Sequence, residues 1–308
     1  MINRPAIYLG LLALACVPWF VASDYIFHIA AMIVIMIPVS LGMNLMLKIG
    51  QLSIAQPAFM GIGAYASALF AIRLGIPTSF ALLLSGLLTA LIALAVGPIF
   101  LRIKGVYFVL LTYAFGQIVN LIFQEWTSLF GGNNGLYGIP KFSIFGHRVV
   151  GAWQYYILGL IMAVFFYAIV RAIERSDMGA ILESLNENEM LSRAIGSNAL
   201  LWRIAAFTFS AFAAGISGGV YAYYIGFLSP DAFGFRQSVD LIVINAIGGV
   251  NSVLGPVLGA IFIVPLPELL RDARQYQLLI YGLCLIVFLI FMRQGLISLF
   301  QRDRRVTP

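Results

Sequence analysis

The chain is dominated by continuous apolar runs, several of about 18 residues or more, the length that crosses roughly 30 Å of hydrocarbon. Inside lipid every backbone N–H and C=O must bond within the chain, so each run is constrained to be a helix. The runs are unbroken and do not alternate, which excludes a transmembrane β-barrel. Hydrophobic residues make up 62% of the chain and charged residues only 10%, so a soluble fold is excluded as well.

Six runs, near 5–23, 25–47, 51–72, 78–101, 105–124 and 153–170, precede a charged stretch at 171–203. Three more apolar stretches follow, near 204–228, 238–264 and 275–292. The first run also has the look of a signal peptide, with Arg4 before it and Val21-Ala22-Ser23 resembling a cleavage site. Another apolar run begins at once, and the topology below needs the first segment, so it is read as a span.

Charge sets the orientation. With the N-terminus inside, the inner segments before residue 204 hold eight cations: Arg4, Lys48, Arg102, Lys104, Arg171, Arg175, Arg193 and Arg203. The outer segments hold three, Arg73, Lys141 and Arg148, a positive-inside bias. Arg293, Arg302, Arg304 and Arg305 place the C-terminal tail inside too, so an even number of crossings follows residue 204. The stretch 238–264 resolves the parity. It contains Gly248-Gly249-Val250-Asn251-Ser252-Val253-Leu254-Gly255-Pro256, a turn and breaker signal. Two short helices meeting there on the inner side give about ten crossings with both termini inside. Nine crossings, or a re-entrant pair, are the alternatives. Short or broken helices in lipid must be shielded by protein or line a cavity, and they recur in transporter pathways.

Four motifs stand out. Residues 50–65 open a span with the polar groups Gln51, Ser53 and Gln56. Pro57 there removes a backbone donor and is expected to kink the helix, while Gly61 and Gly63 allow close approach of a neighbour. This reads either as a polar helix beside a substrate path or as interhelical hydrogen bonding. The charged stretch carries Met178-Gly179-Ala180, Glu187-Asn188-Glu189 and Ala194-Ile195-Gly196. Two short helices fit it, with Gly196 as a C-terminal cap, either docking a cytoplasmic partner or serving as a solvated connector. Ala211, Gly215 and Gly219 form a small-residue face, read as internal packing. Gly131-Gly132-Asn133-Asn134-Gly135 lies in an outer loop without the Lys and helix start that a phosphate loop needs.

Enzyme chemistry finds no support. The two histidines, His28 and His147, stand far apart, and no nucleophile–base set or metal-ligand spacing occurs. Cys16 and Cys284 lie in apolar runs and read as small buried hydrophobes. The net charge of +6 would suit nucleic acid, but positive cytoplasmic loops account for it. Asp240 is the one acid within a late helix, near its outer end, and intramembrane acids are functional candidates by default. Asn44, Gln51, Ser53, Gln56, Gln117, Asn120 and Asn245 are also polar within spans and are candidates for a translocation path.

Taken in order, residues 50–65, 131–140, 187–196, 229–235 and 248–259 resemble the LivM-type permeases of bacterial branched-chain amino acid ABC importers. The resemblance implies a single permease domain over 1–308: an all-α polytopic protein of the inner membrane, with a fold akin to vitamin B12 permeases. It implies a LivH-like paralogous permease, two cytoplasmic LivG/LivF-like ATPases and an external solute-binding protein as partners. ATP and Mg would be used by those ATPases, this chain binding no cofactor. Gly179, Glu187, Asn188, Glu189, Ala194 and Gly196 would form the coupling loop. Pro57, Gly249, Gly255 and Pro256 would be structural breaks. Two departures appear: Pro57 stands where relatives have a small residue, and Asn186 where a basic residue is common.

The expected activity is import of leucine, isoleucine, valine or a related solute by alternating access, the energy entering through the charged stretch. Relatives that carry urea, amides or aromatic acids define a nearby alternative. An ion-driven carrier would need intramembrane charges in which this chain is poor, and a scaffold would not need the breaks at 249 and 255–256.

Overall fold

The computed structural model of the chain describes residues 18–19, 23–144, 146–187, 199–270, 276, 279–283, 286 and 296. The helices, in order, are α1 (Asp24–Lys48), α2 (Gln56–Arg73), α3 (Thr78–Phe100), α4 (Val106–Glu125), the one-turn α5 (Thr127–Phe130), α6 (Ala152–Arg175), α7 (Asp177–Glu187), α8 (Ala199–Ile225), α9 (Phe235–Gly248), α10 (Leu254–Ile263) and α11 (Pro265–Leu269). Short 3-10 turns occupy Gly132–Asn134 and Pro230–Phe233. A two-residue antiparallel hairpin, β1 (Ser143–Ile144) with β2 (His147–Arg148), precedes α6. Among the described residues, α1, α3, α4, α6 and α8 are long and apolar enough to cross a membrane.

The runs read at 25–47, 78–101 and 105–124 correspond to α1, α3 and α4. The run near 5–23 lies almost wholly, and the run near 275–292 for the larger part, outside the described residues. Two boundaries differ from expectation. The run at 153–170 continues to Arg175 and the run at 204–228 begins at Ala199. Arg171, Glu174, Arg175 and Arg203 are therefore helical residues, not loop residues. No Gly or Pro stands between Val170 and Arg175 to stop the helix, and 24 residues extend about 36 Å, past the hydrocarbon.

The segment 51–55 is also corrected. It is not helical: α2 begins at Gln56, and Pro57 lies in its first turn. A proline there removes an N–H that has no helical partner anyway, so the kink expected at Pro57 does not arise. Residues 51–55 instead form a buried approach to α2, pinned from two sides. The N–H of Ile54 donates to Thr112 Oγ1 of α4 at 3.2 Å, and Ser238 Oγ of α9 donates to the carbonyl of Ile54 at 3.0 Å.

The core is built around α8, which packs on α1, α2 and α3. A Cβ on Gly218 would overlap the carbonyl oxygen of Met60, one on Gly63 would overlap the backbone of Gly215, and one on Gly215 would overlap Thr89 of α3. The small-residue face at 211, 215 and 219 is thus internal packing, where missing side chains let backbones approach. Phe80, Leu83, Leu87 and Leu91 of α3 and Ile161, Val164 and Phe165 of α6 point outward. An aqueous surface rarely carries so large an apolar face, whereas lipid solvates it.

Charges gather at one end of the bundle. Lys48, closing α1, lies 2.7 Å from Glu174 near the end of α6, and Arg171 holds the other carboxylate oxygen at 2.7 Å. At the opposite end, Arg73 donates to the carbonyl of Ser128, and the N–H of Ser143 donates to Thr78 Oγ1 at 2.7 Å.

The breaker signal at 248–256 is a turn between α9 and α10, with Gly249 at φ +105°. The two helices run antiparallel in close contact: a Cβ on Gly248 would overlap the carbonyl of Gly255, and one on Gly259 that of Ile244. With 14 and 10 residues they extend about 21 and 15 Å, each short of the roughly 30 Å hydrocarbon. Asn44 of α1 donates its amide to the carbonyl of Val250 at 2.9 Å and so anchors the turn near the Lys48 end.

Candidate functional site

A cavity of about 220 Å³ lies between α1, α9 and the α10–α11 segment, with Met60 of α2 and Tyr221 of α8 also lining it. Met32, Met36, Ile244 and Ile263 give it apolar walls. Its polar lining is His28, Gln237, Asp240, Glu268 and Tyr281. Four of these are held by the following hydrogen bonds. His28 Nδ1 is 2.6 Å from the Tyr224 hydroxyl. Gln237 donates to Met36 Sδ at 3.2 Å. Tyr281 donates to Asp240 Oδ1 at 2.7 Å. The short α9 brings Gln237, Asp240 and Ile244 to one face, spaced as neighbours on a helix.

Of the path candidates read from the sequence, only Asp240 reaches this cavity. Asn44 holds the turn at Val250. Gln56 donates to Ser210 Oγ of α8 at 2.6 Å, a buried interhelical bond. Gln51 and Ser53 are buried in the approach to α2, where Ser53 Oγ accepts from the N–H of Ala55 at 3.4 Å. Asn245 is fully buried and bonds back to the carbonyl of Leu241 at 2.9 Å within its own helix. Asn120 donates to the carbonyl of Pro230 at 2.8 Å and accepts from Gln124, holding the 229–234 connection against α4. Gln117 is exposed and borders a separate crevice of about 10 Å³ with Tyr113 and Ser238, room for about one water. Most of these positions hydrogen-bond between or within helices, and the structure does not bring them together around one cavity.

Sequence reasoning passed over His28, Gln237 and Tyr281 as lining residues. The spacing of Gln237 and Asp240 on one helix face was a usable signal. The approach of residues 28 and 281 to that face was not, because it depends on packing between distant segments.

At the charged end, α7 is the first of the two short helices expected in the 171–203 stretch. Leu182 and Leu185 are buried. A Cβ on Gly179 would crowd the carbonyl of Glu174, so this glycine lets α7 fold tightly against the end of α6. Glu187 closes α7, while Asn188, Glu189, Ala194 and Gly196 lie outside the described residues.

Comparison with known proteins agrees with this architecture. The family described as branched-chain amino acid transport system / permease component matches residues 25–291. The high-affinity branched-chain amino acid transport system permease proteins LivM of Salmonella typhimurium and of Escherichia coli K12 are each 30% identical, over 96% of this chain and 76% of their own. No solved structure matches the chain significantly. An apolar helical bundle, a broken helix pair walling a cavity, and a family match over most of the length lead to one conclusion: the chain belongs to the branched-chain amino acid transport system permease family, a membrane-spanning transport component and not an enzyme.

Proposed function

We propose that this chain is one of two permease subunits of a bacterial inner-membrane importer for leucine, isoleucine and valine, driven by two cytoplasmic ATPases and fed by an external solute-binding protein. The observation that carries the reading is 30% identity to branched-chain amino acid permeases over 96% of the chain. The cavity supports it, since a volume of about 220 Å³ is smaller than the ~300–1,000 Å³ of drug-sized sites and suits a small solute.

In this reading the bundle has ten crossings, both termini are cytoplasmic, and the fold is akin to vitamin B12 permeases. The Lys48–Glu174–Arg171 cluster marks the cytoplasmic end, consistent with the excess of Lys and Arg in the connections there. The 171–203 segment couples to the ATPases, with α7 resting on α6 and α8 behind it. ATP and Mg act in those partners. Closure of the ATPases shifts the coupling segment, and the permease rocks between states that bind the partners differently.

Co-purification in mild detergent followed by reconstitution tests this. A second permease and two ATPases are expected with the tagged chain, and the assembly with its binding protein is expected to take up labelled leucine only when ATP is supplied. A chain recovered alone after gentle crosslinking, or leucine uptake that follows an ion gradient without ATP, overturns the reading.

A further inference from the structure

Glu174 ties three helices together. Gly179 of α7 closes on its carbonyl, so the first turn of α7 sits against this turn of α6. Its carboxylate takes Lys48 Nζ of α1 on one oxygen and Arg171 of its own helix on the other, each at 2.7 Å. The Lys48 and Glu174 side chains are 19% and 29% exposed, so salt screens this pair less than a fully solvated one. α1 leads from there to the cavity. One turn before Lys48, Asn44 holds the Val250 carbonyl of the α9–α10 turn at 2.9 Å. Further along, His28, Met32 and Met36 line the cavity together with Gln237, Asp240 and Ile244 of α9. His28 is about 30 Å along the helix from Lys48. Pro38 stands between the two halves, with no N–H to offer the Val34 carbonyl. Such a missing rung is where helices bend. Beside it, Gly159 of α6 leaves no room for a Cβ against Val34, so α1 and α6 touch closely at that level.

We infer that α1 is a jointed lever that carries movement of the charged segment to the cavity, with Lys48 as the positioning residue at its driven end and Pro38 as its joint. This rests on the importer reading above and deepens it. A shift of α7 against α6 moves Glu174. The ion pair passes the shift to Lys48, because leaving either partly shielded charge without its partner is costly. The 39–48 half of α1 then draws on the α9–α10 turn through Asn44. The other half, pivoting at Pro38 against Gly159, moves Met32 and Met36. Both the α1 wall and the α9 wall of the cavity thus answer to one input, which gives the two sites the shared two-state element that coupling requires. α8 is the competing route, since it also touches α7 and reaches the cavity at Tyr221.

The test uses the whole assembly, with its ATPases and binding protein, in proteoliposomes. In a background with Cys16→Ala and Cys284→Ala, Met32→Cys places a thiol on the cavity wall. Its labelling by a membrane-permeant maleimide is compared without nucleotide and with ATP and vanadate. With the native pair the rate is expected to change about tenfold or more between the two conditions. Lys48→Met is expected to cut that change to about twofold or less, and to lower leucine moved per ATP about fivefold or more, while hydrolysis continues. Lys48→Arg keeps the charge and is expected to retain both. Glu174→Gln is expected to act as Lys48→Met does, and the double variant to be no worse than either, because one interaction is lost only once. Should Lys48→Met fail to assemble, Pro38→Ala supplies the missing N–H, leaves the ion pair intact and is expected to shrink the labelling change by itself. A thiol that never labels, labelling that ignores ATP, additive losses in the double variant, or a full response in Lys48→Met overturns the inference, the last assigning the motion to α8. Leucine uptake by the wild-type assembly reports on the importer reading separately: ATP-driven uptake with an unresponsive thiol removes only the lever, and uptake without ATPases removes both.

Discussion

At the scale of single residues, glycines set how closely the core helices approach. Gly218 faces the carbonyl of Met60 with no room for a Cβ, and Gly63 faces the backbone of Gly215 in the same way. Forcing a side chain into such a contact costs about 1–3 kcal/mol or more. Gly218→Leu is therefore expected to lower the thermal midpoint of the purified protein by several degrees or to abolish its recovery by size exclusion. Gly116→Ala is the control, because nothing lies within 4 Å of a Cβ there, and it is expected to behave as wild type. A Gly218→Leu protein of wild-type stability would mean that α2 and α8 are further apart than described.

At the scale of elements, two breaks behave differently. Pro57 is buried in the first turn of a helix, so Pro57→Ala is expected to cost only about 1 kcal/mol, for the lost packing of its ring. A kinked helix straightened by that change would instead repack its neighbours, and a shift of several degrees in the thermal midpoint would reveal it. Gly249 makes a turn at φ +105°, where L side chains are strained by about 1–3 kcal/mol. Gly249→Ala is expected to destabilise the α9–α10 pair and, through Asn44, its seat on α1. Limited proteolysis between α9 and α10, faster in the variant than in wild type, checks this.

For the whole molecule, the question is how energy enters. The charged end joins α1 to α6 through Glu174 and carries α7. If the segment beyond α7 seats in the ATPases, Glu189→Lys and Gly196→Trp are expected to leave ATP hydrolysis running while leucine uptake falls at least about tenfold, a coupling loss of roughly 1.4 kcal/mol. The ratio of solute moved to ATP hydrolysed in proteoliposomes measures it, and an unchanged ratio in both variants would show that energy enters elsewhere.

The sequence by itself determined the helical, membrane-spanning class, the approximate place of α1, α3, α4, α6 and α8, and the turn near Gly249. Each follows from a local rule: backbone groups in lipid must bond internally, and Gly and Pro interrupt helices. The family resemblance was legible too, because its motifs are contiguous in the chain. Only the tertiary structure decided which polar residues share a site. In the sequence, Asn44, Gln56 and Asp240 are alike, single polar groups within apolar runs. Their partners lie far along the chain: Val250 for Asn44, Ser210 for Gln56 and Tyr281 for Asp240. A polar group in lipid must find a partner, and that partner is chosen by helix packing, so the choice between a helix contact and a cavity wall is made only when the bundle closes.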